Sequence, residues 1–193
     1  MPIEHILINL TRELIRTFAV VDEWFDREHP LHCYKPSSGG WSICEVLEHV
    51  MLTNHFLLII IEKGCEKALR KHEALAGADF IPEHYTLADP ALLAIGQTKS
   101  FAWQRPEHHQ PTGEKTLPQV RREMRDQLSR CLYTLDLLPN GEGTLHHTTM
   151  SVNNLGKLDV YQYLYFLALH AQRHQQQMCL IEQEYNNSPV TLV

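Results

Sequence analysis

His170 and His174 stand four residues apart in the run Tyr163-Leu164-Tyr165-Phe166-Leu167-Ala168-Leu169-His170-Ala171-Gln172-Arg173-His174. In an α-helix that spacing is just over one turn, so both imidazoles leave the same face and can offer two ligands to one ion. Histidine is the commonest metal ligand and a frequent proton carrier, and this chain has 13 of them in 193 residues. With so many, one such pair arises by chance, and the spacing alone carries little weight. Position adds weight. The pair continues an apolar stripe made by Tyr163, Leu167, Met178 and Ile181, while Gln172, Arg173, Gln175 and Gln176 are expected on the solvated side. Burying an unpartnered imidazole costs about 1–3 kcal/mol. Two together need either an ion or a hydrogen-bonded polar pocket, and the residues alone leave both open.

An ion inside a helical bundle takes its ligands from facing helices. His49 is the best candidate for a third ligand, because it shares a helix face with Val46 and Thr53. His55 is the alternative and projects from a different side. Three neutral imidazoles with an open position suit Zn²⁺, and also Ni²⁺ or Fe²⁺. No carboxylate stands at ligand spacing beside the histidine pair, although Glu45 or Glu48 could contribute. Glu45 and Thr53, one turn either side of His49, and Gln177, one turn past His174, are candidates to orient the rings through their other nitrogen. Glu45 is as readily a capping residue, and Gln177 a surface glutamine. Such an ion could make hydroxide from water for hydrolysis. It could equally hold a thiol as thiolate for transfer to an electrophile.

These side chains need helices to carry them, and the apolar periodicity supplies four. Ile3, Leu7, Leu10, Leu14, Phe18, Val21 and Phe25 recur every three or four positions, predicting a first helix over 3–27 that His29-Pro30 ends. Ser42 and Glu45 make a capping box for a second helix that runs to about Leu75. Within it Phe56 to Ile61 is apolar all round, as for a helix covered on several sides or a partner surface. Residues 78–115 hold Pro82, Pro90, Pro106 and Pro111 and predict irregular chain with a short helix near Pro90–Ile95. A segment that long makes sense as a crossover joining two helices that point the same way. Leu117-Pro118 opens a third helix, inner positions Val120, Met124, Leu128, Cys131, Leu135 and Leu138, which Pro139-Asn140-Gly141 stops. A polar linker, 142–157, leads to a fourth helix from about Leu158 to Glu184. No convincing strand alternation appears, so the expected class is all-α, a four-helix bundle.

Composition narrows the function. The net charge is -6 and no run of Lys or Arg appears, so nucleic acid is not an expected partner. The apolar run Phe56 to Ile61 is six residues, too short for a membrane span, and Met1-Pro2-Ile3-Glu4-His5 has no signal-peptide pattern. The expectation is a cytoplasmic protein without a membrane partner. Cys33, Cys44, Cys65, Cys131 and Cys179 include no CxxC and read as reduced, small core residues. His108-His109 and His146-His147 are expected in solvent, and Trp24, Trp41 and Trp103 as packing anchors. No G-x-S-x-G elbow exists, and Gly39-Gly40 lacks the rest of a phosphate loop.

The run Trp41-Ser42-Ile43-Cys44-Glu45-Val46-Leu47-Glu48-His49 resembles the tryptophan-to-histidine segment that opens the second helix of the DinB/YfiT-like superfamily. Pro111-Thr112-Gly113-Glu114 before the third helix, Leu155-Gly156-Lys157-Leu158 before the fourth, and the HxxxH of His170 and His174 resemble it too. The resemblance covers nearly the whole chain. It implies one domain over 1–193, an up-down-down-up four-helix bundle with a long crossover between helices 2 and 3. It also implies one divalent metal ion on His49, His170 and His174, with zinc or nickel first and iron or manganese next. Such relatives include thiol transferases, thiol-dependent isomerases and metal-dependent hydrolases. The implied function is therefore a metal-dependent enzyme on a small molecule, a low-molecular-weight thiol among the candidates, working as a thiol S-transferase or hydrolase. The alternative is a non-catalytic stress or binding protein whose metal supports the fold. Relatives also imply a homodimer.

Overall fold

The computed structural model describes residues 2–76, 80, 84–98 and 109–187. Among them the chain is mostly helical, with one two-stranded sheet. The first helix, α1 (Ile3–Glu23), buries Leu7, Leu10, Leu14, Phe18 and Val21 of the predicted stripe and Ile6 besides, while Ile3 and Phe25 are half-buried. It ends sooner than expected, tightening into a 3-10 turn over Trp24–Asp26. The Trp24 carbonyl accepts from the Arg27 amide at 3.4 Å and also meets the buried His32 ring at 2.7 Å. His32 belongs to a short helix of its own, α2 (His29–Cys33), where Pro30 sits in the first turn, a position that needs no amide proton.

Ser42 caps α3 (Ile43–Ala74) through the expected capping box: Glu45 Oε2 accepts from the Ser42 amide at 2.7 Å, and Ser42 Oγ from the Glu45 amide at 3.5 Å. By length and composition α3 could cross a membrane, with 61 % of its most apolar stretch buried inside the protein. Leu57, Leu58 and Ile61 are buried, Phe56 and Ile60 half-buried, and Ile59 lies at the surface. The apolar run thus mostly serves the interior, which weakens its reading as a partner surface.

Within the connection from α3 to the next long helix, Asp89 caps α4 (Pro90–Leu93) by accepting from Ala91 and Leu92 amides at 2.8 and 3.1 Å. A 3-10 turn, Ala94–Gly96, follows and packs on the last helix, with Leu92 and Ile95 fully buried. Pro82 and Pro106 lie outside the described residues. Thr116 and Gln119 form the capping box of α5 (Leu117–Leu137), and Gly141 turns the chain with a left-handed φ of 98°.

The predicted polar linker contains structure that periodicity missed. A 3-10 turn, Glu142–Leu145, precedes β1 (His147–Met150), which pairs antiparallel with β2 (Gly156–Asp159), His147 opposite Asp159 and Met150 opposite Gly156. Each strand has four residues, too few for alternation to rise above chance. The return turn depends on left-handed Asn153, Asn154 and Gly156. The last helix, α6 (Val160–Asn187), starts from reciprocal bonds between Asp159 and Gln162: the Gln162 amide donates to Asp159 Oδ1 at 2.9 Å and the Asp159 amide to Gln162 Oε1 at 3.0 Å. The four long helices pack so that α1 and α3 each touch both α5 and α6.

Candidate metal centre

His49 lies two turns into α3, and His170 and His174 lie mid-way along α6. The helices bring all three to one point, where they are 6 %, 2 % and 2 % exposed. One nitrogen of each ring lies within 4.8 Å of the others. Nε2 of His170 and Nε2 of His174 are 3.2 Å apart. The Trp41 ring packs against His49 at 4.6 Å between centroids, and Phe166, one turn before His170, stacks on it at 6.1 Å.

Hydrogen bonds orient two of the rings. Nδ1 of His49 donates to the backbone carbonyl of His109 at 2.7 Å. A carbonyl only accepts, so the neutral His49 ring carries its proton on Nδ1 and its lone pair on Nε2. Nδ1 of His174 likewise meets Oε1 of Gln177 at 2.9 Å. Burial pushes the His170 basicity well below the ordinary range, and the neighbouring His174 and His49 push the same way. Neutral imidazole is the form that binds metal.

The donor set fits a divalent ion. With ligand bonds of 2.0–2.1 Å, a tetrahedral zinc places neighbouring nitrogens ~3.3 Å apart, close to the His170–His174 separation of 3.2 Å. Two facing lone pairs at that distance repel unless a proton or a cation lies between them. A proton on His170 Nε2 relieves that repulsion, and so does a cation, which three converging imidazoles can hold.

The other sequence candidates divide. His55 is exposed and takes no part. Glu45 is spent on the cap and on an ion pair with Lys35. Glu48 is buried with its carboxylate engaged by Thr112 and Gly113. Thr53 is buried, and its hydroxyl has no hydrogen-bond partner among the described residues. Gln177 is an orienting partner. Of its neighbours on α6 expected at the solvated face, Gln176 is exposed, and Gln172, Arg173 and Gln175 are half-buried. Gln172 reaches Glu13 and donates to Thr17 Oγ1 at 2.9 Å, Gln175 donates to the Thr17 carbonyl at 2.8 Å, and Gln176 to the Gly96 carbonyl at 3.1 Å. Arg173 is half-buried with Nη1 3.4 Å from His174 Nε2, which sets a guanidinium at the edge of the cluster.

His109 was expected in solvent. Its carbonyl instead holds His49, and its ring stacks on Phe56 at 5.3 Å. The one sequence signal nearby is the Pro111-Thr112-Gly113-Glu114 segment. His108 and Trp103 lie outside the described residues. His146 is half-buried, where desolvation first and the Lys67 and Lys71 charges next lower its pKa, and His147 is exposed as expected. Trp24 is a buried anchor, whereas Trp41 lies against the cluster. Of the cysteines, Cys65 and Cys131 are buried, Cys44 is half-buried, and Cys33 and Cys179 are exposed.

A family model described as the DinB superfamily matches residues 10–178, a span that holds all three histidines. No curated protein and no solved structure matches the chain.

Proposed function

The chain belongs to the DinB superfamily, and from that membership we propose that it is a metal-dependent enzyme acting on a small molecule, with one divalent ion on His49, His170 and His174. The observation that carries this reading is the convergence of three buried imidazole nitrogens within 4.8 Å. Zinc or nickel suits the donor set best, with iron or manganese next. An ion there supplies Lewis acidity, which lowers the pKa of a water or a thiol. The chain's own residues do the rest. His109 and Gln177 hold two rings by their outer nitrogens. Trp41 covers His49 on one side. Arg173, beside His174, supplies a fixed positive charge for an anionic group of the substrate. That charge favours a thiolate or a carboxylate-bearing molecule, consistent with thiol S-transfer and with hydrolysis.

The same reading takes the four long helices as an up-down-down-up bundle with its crossover between α3 and α5, in a cytoplasmic homodimer. Ile8 and Ile15, 41 % and 47 % exposed and two turns apart on α1, are the apolar surface it would use. Light scattering that finds only monomer removes the dimer from the proposal.

Metal analysis of the purified protein tests the centre. We expect about one ion per chain, lost in His170→Ala. Protein that takes up neither zinc nor nickel ends the reading. If the His170→Ala variant loses both the ion and its cooperative melting, the ion supports the fold and the enzyme proposal gives way to a non-catalytic role.

A further inference from the structure

Glu48 and His49 are consecutive on α3, and both hold the same short stretch of chain. Glu48 is 4 % exposed, and its carboxylate accepts three hydrogen bonds. Oε1 takes the Thr112 amide at 3.2 Å and the Thr112 hydroxyl at 3.0 Å, and Oε2 takes the Gly113 amide at 2.9 Å. Gly113 has φ +72°, and a Cβ there would meet nothing within 4 Å, so glycine serves the backbone conformation and not a tight fit. Three residues before Thr112, the His109 carbonyl accepts from His49 Nδ1 at 2.7 Å. The His109 ring stacks on Phe56, two turns further along α3. Pro111 stiffens the piece between these attachments.

Burying a carboxylate is costly, and it is tolerated where several donors converge on it. Here those donors come from one loop, the loop that also supplies the acceptor for His49. Which ring nitrogen of a histidine keeps its proton is decided by the hydrogen bond the other makes. We propose that Glu48 is the positioning residue of the three-histidine cluster: it fixes segment 109–113, whose His109 carbonyl locks His49 with its proton on Nδ1 and its Nε2 lone pair turned to His170 and His174. Glu48 is then not a ligand, yet it sets how well the cluster accepts an ion. The affinity part of this inference rests on the proposed function. The tautomer part does not.

The test uses Glu48→Gln and Thr112→Ala. Glutamine has the same shape but presents an amide NH2 where the carboxylate accepted, so it cannot take all three donors. Nitrogen-15 NMR of the metal-free protein reports the tautomer of each ring, and zinc affinity follows from competition with a chromophoric chelator. In the parent we expect His49 and His174 both protonated on Nδ1 alone. In Glu48→Gln, His49 becomes a tautomer mixture while His174, held by Gln177, does not change, and zinc affinity falls roughly 10–100-fold. Thr112→Ala removes one of the three bonds at an exposed residue and moves both readouts the same way by less. A role confined to stability would lower the melting temperature without this selective change at His49. An unchanged His49 tautomer in Glu48→Gln, with zinc affinity within about two-fold of the parent, overturns the proposal. Should Glu48→Gln not fold, the same null result in Thr112→Ala overturns it. If the parent takes no zinc, the metal reading fails and the tautomer result still decides this one.

Discussion

Gln177 accepts a hydrogen bond from Nδ1 of His174 at 2.9 Å, one helical turn further along α6. Because both residues ride on one rigid helix, this contact orients the ring before any ion arrives. We predict that Gln177→Leu weakens zinc binding roughly 10-fold while leaving the helical circular dichroism unchanged. Equal affinity in parent and variant would show that packing alone orients His174.

Gly143 gives a sharp steric test of the packing beneath α6. A Cβ at this position would lie 2.7 Å from Cζ of Tyr161, a fully buried ring. The ring cannot retreat easily, since Tyr161 donates its hydroxyl proton to the Leu138 carbonyl at 2.6 Å and accepts from the Gly143 amide at 3.1 Å. Gly143→Ala should therefore cost about 1–3 kcal/mol of stability in urea denaturation. A variant as stable as the parent contradicts the packing described here.

Asp159 offers a pH dependence of unusual sign. The carboxyl is 2 % exposed, and burial raises its pKa despite hydrogen bonds from the Gln162 amide and Tyr85. A raised folded pKa means that the protonated form is preferred in the native state. Its contribution is complete below the unfolded value of about 3.9 and is lost as pH rises through the folded value. Asparagine caps helices equally well and keeps an accepting oxygen. Asp159→Asn should match the parent in acid and become the more stable of the two as pH rises toward neutrality. Thermal melts across that window check it, and a gap that shrinks with rising pH would contradict it.

Asp22 should behave in the opposite sense. Hydrogen bonds from Arg121 and then Arg125, each with a contact of 2.7 Å, hold its carboxyl well below the usual carboxylate range. A depressed folded pKa gives stability that is present above about 3.9 and is lost as pH falls through the folded value. The site is 27 % exposed, so solvent screens the pairs. Asp22→Asn should cost on the order of 1 kcal/mol at neutral pH, and less in strong acid or high salt. A cost that persists undiminished in strong acid would point to packing rather than charge.

Local rules are what the sequence could be read by. The stripe of Leu7, Leu10, Leu14 and Phe18 needs only the 3.6-residue period, and the Ser42–Glu45 cap only neighbours three residues apart. The shared direction of His170 and His174 is local in the same way, and Gln177 follows from it. For these the amino-acid sequence was sufficient, because each depends on bonds and angles inside one turn or two of helix.

The tertiary structure decided the rest. His49 is remote in sequence from the pair it joins, and only the packing of α3 on α6 sets the distance between their rings. Gln172 and Gln175 lie off the apolar stripe, yet α1 half-covers both, whereas Gln176 stays exposed while it bonds the Gly96 carbonyl. The His109 carbonyl and the β1–β2 hairpin are not legible in the sequence, because a backbone group has no side-chain signature and pairing register is not written in single residues. A helix repeats itself and announces its faces; which neighbour covers each face is settled by the free energy of the whole packed chain, which no short window of residues contains.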